Sequence, residues 1–343
     1  MAVGNGAPVT VQSMTSTDTR DASATLAQIR RLAAAGCEII RCAVPDRAAA
    51  GALQEICRES PLPVVADIHF DHRLALAALE SGANCLRINP GNIGSERKVA
   101  EVVAACRERQ VPIRIGVNSG SLRREDALRW GGVTSRALAE SALREAALIE
   151  KCGFGLIKIS AKAFDLATTI GAYRILADQT DYPLHLGITE AGPLIPGLIR
   201  SSAGIGALLL EGIGDTIRFS LTADPVEEVR AGRELLQAVG LRAFGPVIVS
   251  CPTCGRTRID LFSLVEEVTR AVADLEDPSR FAGVKIAVMG CVVNGPGEAR
   301  QAQIGVAGGD GEGIVFREGQ VIRKVKAAEI VPALLEELHK LGR

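Results

Sequence analysis

Short runs rich in Val, Ile and Leu recur through the first two thirds of the chain, separated by stretches of Ala, Leu, Glu and Arg with helical spacing. The runs predict eight strands, at residues 9–14, 38–44, 63–68, 85–90, 112–118, 156–161, 183–190 and 216–221. Helices are predicted between them, for example at 25–35, 73–79 and 136–149. Regular alternation indicates parallel pairing, and eight such units in about 240 residues match a (β/α)8 TIM barrel. A doubly wound open sheet is the alternative, although no Gly-x-Gly-x-x-Gly follows the first strand.

The pattern changes after Gly240. The remaining residues predict a small α+β domain with strands at 246–250, 284–289, 313–316 and 320–324 and helices at 261–275 and 327–341. The Glu318-Gly319 pair suits the turn between the last two strands. Because 343 residues exceed what one core usually serves, we expect two domains, 1–240 and 241–343.

Polar residues interrupt the predicted barrel strands, which should be continuously hydrophobic because both of their faces are covered. They are Arg41, Asp67, His69, Arg87, Asn89, Arg114, Asn118, Lys158, Ser160, His185, Thr189 and Arg218. Within a strand they lie two or four apart, so they point to one side, and TIM-barrel active sites lie at the carboxyl ends of the strands. A single Arg would most simply be a paired structural residue, and Arg218 fits that interpretation equally well. Matched cations on strands two, four, five and six instead predict a phosphate or diphosphate pocket.

Turns after the predicted strands contribute further candidates. Residues 89–92 and 116–120 could offer backbone N–H groups to a phosphate, although Asn, Gly and Pro clusters are usually only turns. Glu190 and Glu211 are candidate catalytic acids, but helix capping explains each of them equally well from spacing alone.

Composition and charge narrow the class of partner. Lys plus Arg number 39 and Asp plus Glu 40, and this near-neutral balance gives no reason to expect nucleic acid or an anionic membrane. No apolar run reaches the length that a bilayer requires, and the first eight residues lack the pattern of a signal peptide. We therefore expect a cytoplasmic protein whose nine cysteines are reduced.

Three of these cysteines lie in the second predicted domain, next to Pro and Gly. Cys251 and Cys254 form a C-x-x-C after one strand, and Cys291 follows another, so three thiolates could converge on one metal centre. Structural zinc takes four closed ligands, whereas a 4Fe–4S cluster is held by Cys thiolates. This chemistry favours a cluster over zinc, with Glu298 as the nearest candidate for the fourth position. The six other cysteines are expected to pack in the core.

Several segments carry motifs that can be compared with known families. They are Val11–Thr15 (VQSMT), Val65–Phe70 (VADIHF), Leu86–Gly94 (LRINPGNIG), Arg114–Leu122 (RIGVNSGSL), His185–Gly192 (HLGITEAG), Leu210–Thr216 (LEGIGDT), Cys251–Arg256 (CPTCGR) and Gly290–Glu298 (GCVVNGPGE). The chain closely resembles the 4-hydroxy-3-methylbut-2-enyl diphosphate synthase family in these segments. So many motifs in the same order make chance agreement negligible.

The resemblance implies a barrel joined to a cluster domain, as in the bacterial two-domain members of that family. It implies a 4Fe–4S cluster held by Cys251, Cys254, Cys291 and Glu298. The implied substrate is 2-C-methyl-D-erythritol 2,4-cyclodiphosphate of the methylerythritol phosphate pathway, opened with two electrons and loss of water. The resemblance also implies a homodimer in which the cluster domain of one chain caps the barrel of the other. Arg200 stands where many members have Lys, so a positive charge is kept there.

The predicted mechanism assigns a role to each half of the chain. Arg41, Arg87, Arg114 and Lys158 hold the diphosphate, and Glu298 is displaceable because carboxylate binds iron in a sulfur-rich site more weakly than thiolate. Single-electron deliveries call for a small protein donor, flavodoxin or ferredoxin. Two other functions remain open: a cluster-dependent hydro-lyase, which needs no electrons, and a zinc-stabilised binding module for phosphorylated ligands.

Overall fold

A computed structural model describes residues 1–291, 299–309 and 311–342 of the chain. The chain divides into two units, Met1–Arg242 and Ala243–Arg343, which are treated separately below. The sequence boundary after Gly240 lies beside this division, and its status as a domain boundary stays a prediction.

The first unit contains eight parallel strands that form a barrel. They are β1 (Thr10–Met14), β2 (Ile39–Ala43), β3 (Val64–Asp67), β4 (Cys85–Ile88), β5 (Ile113–Asn118), β6 (Ile157–Lys162), β7 (His185–Leu186) and β8 (Thr216–Ile217). Their order is β6-β5-β4-β3-β2-β1-β8-β7. A parallel bridge between Ile159 and Leu184 joins the two ends of this series. The predicted TIM barrel is therefore confirmed, and an open doubly wound sheet is excluded.

Helices follow the strands on the outside of the barrel. They are α1 (Ala22–Ala34), α2 (Arg47–Glu59), α3 (His72–Glu80), α4 (Pro90–Ile93), α5 (Glu96–Arg109), α6 (Arg124–Arg129), α7 (Ser135–Lys151), α8 (Leu166–Gln179), α9 (Leu194–Leu210) and α10 (Pro225–Ala238). Five of them begin after an Asp whose side chain accepts a backbone N–H of the first turn: Asp21, Asp46, Asp71, Asp165 and Asp224. Each such cap is worth about 1 kcal/mol, which fixes where these helices begin.

Strand residues alternate between the helix layer and the barrel interior. On β5, Ile113 and Ile115 are buried on one face, and Arg114 lies on the other. Arg114 Nη1 donates to Gln12 Oε1 of β1 over 3.4 Å. Because β1 and β5 are four strands apart in a ring of eight, this bond crosses the interior. The opposite face of β1 packs on α10, where Gly232 leaves room for Val11.

The seventh and eighth strands are much shorter than predicted. Each forms two residues of regular ladder, and the pairing ends with the Arg218 N–H bond to the Leu186 carbonyl, 3.0 Å long. Beyond it, a Cβ on Gly187 would lie 2.5 Å from Lys162 Nζ and 2.7 Å from the Arg218 carbonyl oxygen. The backbone departs from the ladder here because buried side chains and backbone approach it closely.

The second unit is built on a mixed five-stranded sheet with the order β13-β12-β11-β10-β9. Its elements are β9 (Val247–Ser250), α11 (Leu261–Ala273), β10 (Lys285–Met289), β11 (Ile304–Gly308), β12 (Glu312–Arg317), β13 (Gln320–Lys326) and α12 (Ile330–Leu341), with short 3-10 helices at Pro278–Phe281 and Ala327–Glu329. The strands β9, β10 and β11 pair in parallel, whereas β12 and β13 form a hairpin. Glu318 and Gly319 both have positive φ in its turn, as the sequence predicted.

The sequence did not predict β11. Two glycines, Gly305 and Gly308, interrupt its hydrophobic pattern. A Cβ on Gly305 would lie 2.8 Å from Ala287 Cβ and would also clash with the Phe316 ring, so the glycine leaves space for that ring to lie across the strand. One sheet face packs on α11 and α12 through residues such as Leu264, Val288 and Leu334.

Tyr173 of α8 completes the seam between β6 and β7. Its buried hydroxyl accepts the Ala161 N–H over 3.3 Å and donates to the His185 carbonyl over 2.5 Å. One side chain thus satisfies a backbone group on each strand where regular ladder pairing is lacking.

We expect Tyr173→Phe to destabilise the barrel by about 1–3 kcal/mol, because it leaves two buried backbone groups without a partner. The control is Tyr182→Phe, whose hydroxyl makes an exposed hydrogen bond to Glu150. It should change the free energy of unfolding by no more than about 0.5 kcal/mol. Fluorescence of Trp130, the only tryptophan in the sequence, reports barrel unfolding in denaturant. Equal stabilities of the two variants would contradict the seam interpretation.

Candidate active site

A buried ion cluster occupies the carboxyl-terminal side of the barrel interior. Asp67 aligns with Arg87 across neighbouring strands, and Arg87 aligns with Arg114. Asp67 Oδ1 lies 3.1 Å from Arg87 Nη1, and its Oδ2 lies 3.7 Å from Arg41 Nε. Burial raises the pKa of Asp67, but the charges of Arg41 and Arg87 and a hydrogen bond from His69 outweigh it and hold that pKa well below its ordinary value. Asp67 is therefore an anion shared by two arginines.

Arg114 is a buried guanidinium, with 1% of its surface exposed. It donates to the neutral Gln12 amide, and its Nε has no hydrogen-bond partner within the described residues. Burial, followed by the charge of Arg87, lowers its pKa to about 10. Arg114 therefore keeps its positive charge and has donor capacity to spare.

Lys162, the last residue of β6, is a buried basic residue that the sequence analysis missed. Burial lowers its pKa far below the ordinary value, and the charges of Arg114, Arg218, Arg41 and Arg87 lower it further. The predicted strand stopped at residue 161, although the period-two series of Lys158 and Ser160 continues to Lys162. Extending that series by one step would have found it.

Arg218 lies on the same interior side but has a carboxylate of its own. Its Nε is 3.5 Å from Glu228 Oε2, and the same carboxylate accepts from Ser13 Oγ over 3.2 Å. The salt-bridge interpretation, which the sequence left open, describes this residue.

Several neutral candidates surround the cations. Asn89 follows β4, and its buried Oδ1 has no partner within the described residues. Ser160 Oγ donates to the Ile115 carbonyl over 3.1 Å. The Asn118 N–H donates to Ser121 Oγ over 3.1 Å in the 3-10 turn Ser119–Ser121 after β5. These residues extend the interior toward the loops at the barrel mouth.

His185 is wholly buried at the start of β7. Its Nδ1 lies 2.7 Å from Thr216 Oγ1, and its Nε2 has no partner in the described part of the chain. Burial and then the charge of Lys162 lower its pKa well below the ordinary value, so the ring is neutral.

Two further predicted residues lie at the rim. The side chain of His69 is 58% exposed, and its Nε2 is 3.6 Å from Asp67 Oδ2. Arg200 of α9 stacks over the Phe164 ring at 4.3 Å and donates to the Ala191 carbonyl. Phe164 and Ala191 belong to the loops after β6 and β7, so Arg200 ties the two loops together.

Lys158 does not join this group. It is the second residue of β6, and it lines a cavity of about 660 Å³ with Ile39, Val65 and Cys85, toward the amino ends of the strands. The sequence placed it at the mouth because it assumed that all matched cations share one level. The tilt of barrel strands instead moves aligned residues along the barrel axis from one strand to the next.

Glu211, a predicted catalytic residue, is also elsewhere. It follows α9 on the outside of the barrel, is exposed, and pairs with Arg174 of α8 at 2.5 Å. The segments between a helix and the next strand lie at the end of a TIM barrel opposite the active site. We therefore leave Glu211 out of the proposed site.

The cysteines of the second unit lie after neighbouring parallel strands. Ser250 of β9 aligns with Val288 of β10, so Cys251 and Cys291 follow adjacent strand ends. The Gly290 N–H donates to Cys251 Sγ over 3.3 Å. Glu298 lies outside the described residues. Among the described residues, no group of three or more His, Cys, Asp or Glu side chains is gathered around one metal position.

The thiol pKa values separate Cys254 from cysteines of the barrel. Hydrogen bonds from the Arg256 backbone and side chain lower the pKa of the exposed Cys254. Burial raises the pKa of Cys37 and Cys42 to about 11 and of Cys57 and Cys106 to about 12. The thiolate is the metal-binding form. Soft donors at adjacent strand ends, one of them stabilised as a thiolate, fit an iron–sulfur cluster.

These features define a TIM-barrel protein with a cationic interior, joined to an α+β unit that bears one exposed and two partly buried cysteines. Residues 1–233 match the GcpE TIM-barrel domain, and residues 247–340 match the GcpE protein C-terminal domain. The chain belongs to the GcpE family, and the resemblance seen in its motifs is confirmed.

Similar proteins carry one name. A protein of Geobacter sulfurreducens is 58% identical over 339 residues, covering 99% of this chain and 95% of the relative. A protein of Clostridium acetobutylicum is 53% identical, with 99% and 96% covered. Each is named 4-hydroxy-3-methylbut-2-en-1-yl diphosphate synthase (flavodoxin). In the described residues, no helix is both long and apolar enough to cross a membrane.

Burial gives Lys158 a pKa of about 8, below the ordinary 10.5, so the unfolded chain binds more protons between these values. The resulting destabilisation is complete below pH 8 and disappears as the pH rises toward 10.5. We expect Lys158→Met to stabilise the barrel at pH 7 by about 1–3 kcal/mol and by much less above pH 10. Denaturant unfolding of both proteins at each pH measures this difference. A gain that is independent of pH would mean that the lysine is not the cause.

Proposed function

We propose that this chain converts 2-C-methyl-D-erythritol 2,4-cyclodiphosphate to 4-hydroxy-3-methylbut-2-enyl diphosphate in the methylerythritol phosphate pathway of isoprenoid biosynthesis. The name shared by relatives that are 51–58% identical over 99% of the chain supports this activity. The structural observation that carries it is the group of buried basic side chains in the barrel, Arg41, Arg87, Arg114 and Lys162, of which Arg41 and Arg87 pair with Asp67.

The reaction increases the negative charge on the diphosphate. Two electrons enter, the C–O bond from carbon to a ring phosphate breaks, and the neighbouring hydroxyl leaves as water after taking up a proton, so that a C=C bond forms. The bonding electrons remain on the phosphate oxygen, which becomes an additional anionic group. Preformed cations in a buried site stabilise a developing charge better than water does. The barrel therefore favours the opened diphosphate over the ring.

The remaining predicted residues have proposed positions around the substrate. Asn89, with its Oδ1 free of partners among the described residues, and Asn118 offer amide groups at the barrel mouth. Neutral His185 and Ser160 line the interior, while His69 and Arg200 lie at the rim. We assign Lys162 rather than Lys158 to the diphosphate site, because Lys162 is the last residue of β6 and Lys158 is the second.

The second unit is proposed to hold a 4Fe–4S cluster through Cys251, Cys254, Cys291 and Glu298. When bound, this cluster supplies electrons one at a time and a Lewis-acidic iron. The Arg256 contacts that lower the pKa of Cys254 favour the thiolate that such a cluster requires. Glu298 is assigned by the family resemblance.

The proposal includes an electron donor and an assembly. Flavodoxin, which the names of the relatives contain, or ferredoxin would deliver the electrons. We also propose a cytoplasmic homodimer, as the resemblance implies.

Anaerobically purified protein should convert the cyclic diphosphate only when a reductant or a reduced flavodoxin is present, with two electrons consumed per product. Cys251→Ser, Cys254→Ser and Cys291→Ser should each lose the 4Fe–4S absorbance and the activity. The matched controls, Cys57→Ser and Cys106→Ser on the barrel helices α2 and α5, should keep both. Turnover without any reductant would favour a hydro-lyase, and stoichiometric zinc would favour a binding module.

The two lysines of β6 provide a matched test of the diphosphate site. Lys162→Met should raise the substrate KM by roughly 10- to 100-fold, since a charge-assisted contact is worth about 1.5–3 kcal/mol. Lys158→Met, four residues earlier on the same face of the same strand, should leave KM unchanged. The reverse result would return Lys158 to the diphosphate site in place of Lys162.

A further inference from the structure

A buried carboxylate on the outer helix layer has no role in the chemistry described above. Glu145 of α7 is 1% exposed, and its Oε1 lies 3.1 Å from Arg123 Nη2. The backbone N–H of Gly91 also stabilises the ionised carboxylate. Glu145 Oε2 is buried without a partner among the described residues.

The partners of Glu145 come from two different loops of the barrel mouth. Gly91 belongs to the turn after β4, two residues beyond Asn89. Arg123 belongs to the segment after β5, which begins with the 3-10 turn Ser119–Ser121 directly after Asn118. One carboxylate on α7 therefore holds the two loops that carry the candidate asparagines. We call the Arg123–Glu145–Gly91 group the loop clamp.

The loop clamp fits the turn after β4 closely. A Cβ on Gly91 would lie 2.5 Å from Glu145 Oε1 and nearer still to Arg123 Nη2. Only glycine leaves room for the ion pair at this point, so the turn and the pair fix each other's position. Asn92 N–H donates to the Asn89 carbonyl over 2.8 Å, which transmits that position to Asn89.

An ion pair in this place is not explained by stability alone. Burial raises the pKa of Glu145, and the Arg123 charge and the Gly91 N–H only partly offset that effect. Replacing buried ion pairs by packed apolar residues is often neutral or stabilising. A directional contact between two loops and a helix is something that an apolar residue cannot supply.

We propose that Glu145 is a positioning residue, which holds Asn89 and Asn118 in the geometry that binds the cyclic diphosphate. This inference rests on the proposed function. Glu145 acts on substrate binding in the ground state through the two loops, so its loss should raise the substrate KM while kcat stays the same.

Glu145→Gln tests the clamp with little change in shape, because it removes the negative charge that pairs with Arg123. We expect about a tenfold rise in KM, with kcat and cluster absorbance unchanged. Arg123→Met should give the same result. The KM of the double variant should be no higher than that of either single variant, because each of the three variants breaks the same loop clamp. The matched control is Glu140→Gln, on the same helix, which breaks an exposed 3.1 Å pair with Arg136. It should leave KM at the wild-type value.

Amide hydrogen exchange provides a readout that does not depend on turnover. Peptides covering residues 89–94 and 118–123 should exchange faster in Glu145→Gln than in wild type or Glu140→Gln, at equal melting temperature. Failure of the wild-type protein to turn over the substrate would overturn the proposed function, whereas the exchange result would still decide on the clamp. A wild-type KM and wild-type exchange in Glu145→Gln would overturn the clamp and leave the proposed function intact. A double variant in which the KM increases of the two single variants multiply would also overturn the clamp.

Discussion

The shortage of negative charge inside the barrel is the constraint on which the site depends. Asp67 is shared by Arg41 and Arg87, and the side chain of the neighbouring Arg114 donates to the neutral Gln12 amide. Burial lowers the pKa of Arg41, Arg114 and Lys162, so a positive charge on each of these side chains carries a cost inside the barrel. A bound polyanion would remove that cost, so ligand binding and the stability of the barrel should be linked.

Glycines on the strands make this concentration of long cations sterically feasible. Arg87 Nη2 donates to the Gly116 carbonyl over 3.1 Å, and a Cβ on Gly116 would overlap the same guanidinium. Gly187 gives Lys162 the same freedom on the other side of the interior. The hydrophobic residues between these positions face the helices, which keeps the outer core continuous while the interior stays polar.

The sequence predicted the architecture well because period-two and helical patterns are local signals. All eight barrel strands were found, and the largest errors in length are at β7 and β8, whose pairing is limited by Lys162 and by the backbone near Gly187. Arg41, Arg87 and Arg114 could be found as polar residues on apolar strands. The level of each residue along the barrel axis could not be read in this way, because strand tilt is a tertiary property. This is why Lys158 was placed at the mouth. The pairing of Arg123 with Glu145 was equally hidden, because it joins a loop and a helix whose approach no local pattern specifies.

The contrast between Cys254 and the barrel thiols has a practical consequence. An electrophile reacts with the thiolate. Near neutral pH the buried Cys37, Cys42 and Cys106 and the half-buried Cys57 remain protonated, because desolvation raises their pKa values. Cys254 is exposed and has a lowered pKa. In protein without a cluster, a maleimide or a spin label should therefore modify Cys254 ahead of those four. The rate of that modification would then fall as the thiol becomes bound to metal. The labelling rate of Cys254 would therefore measure the fraction of the protein that carries metal.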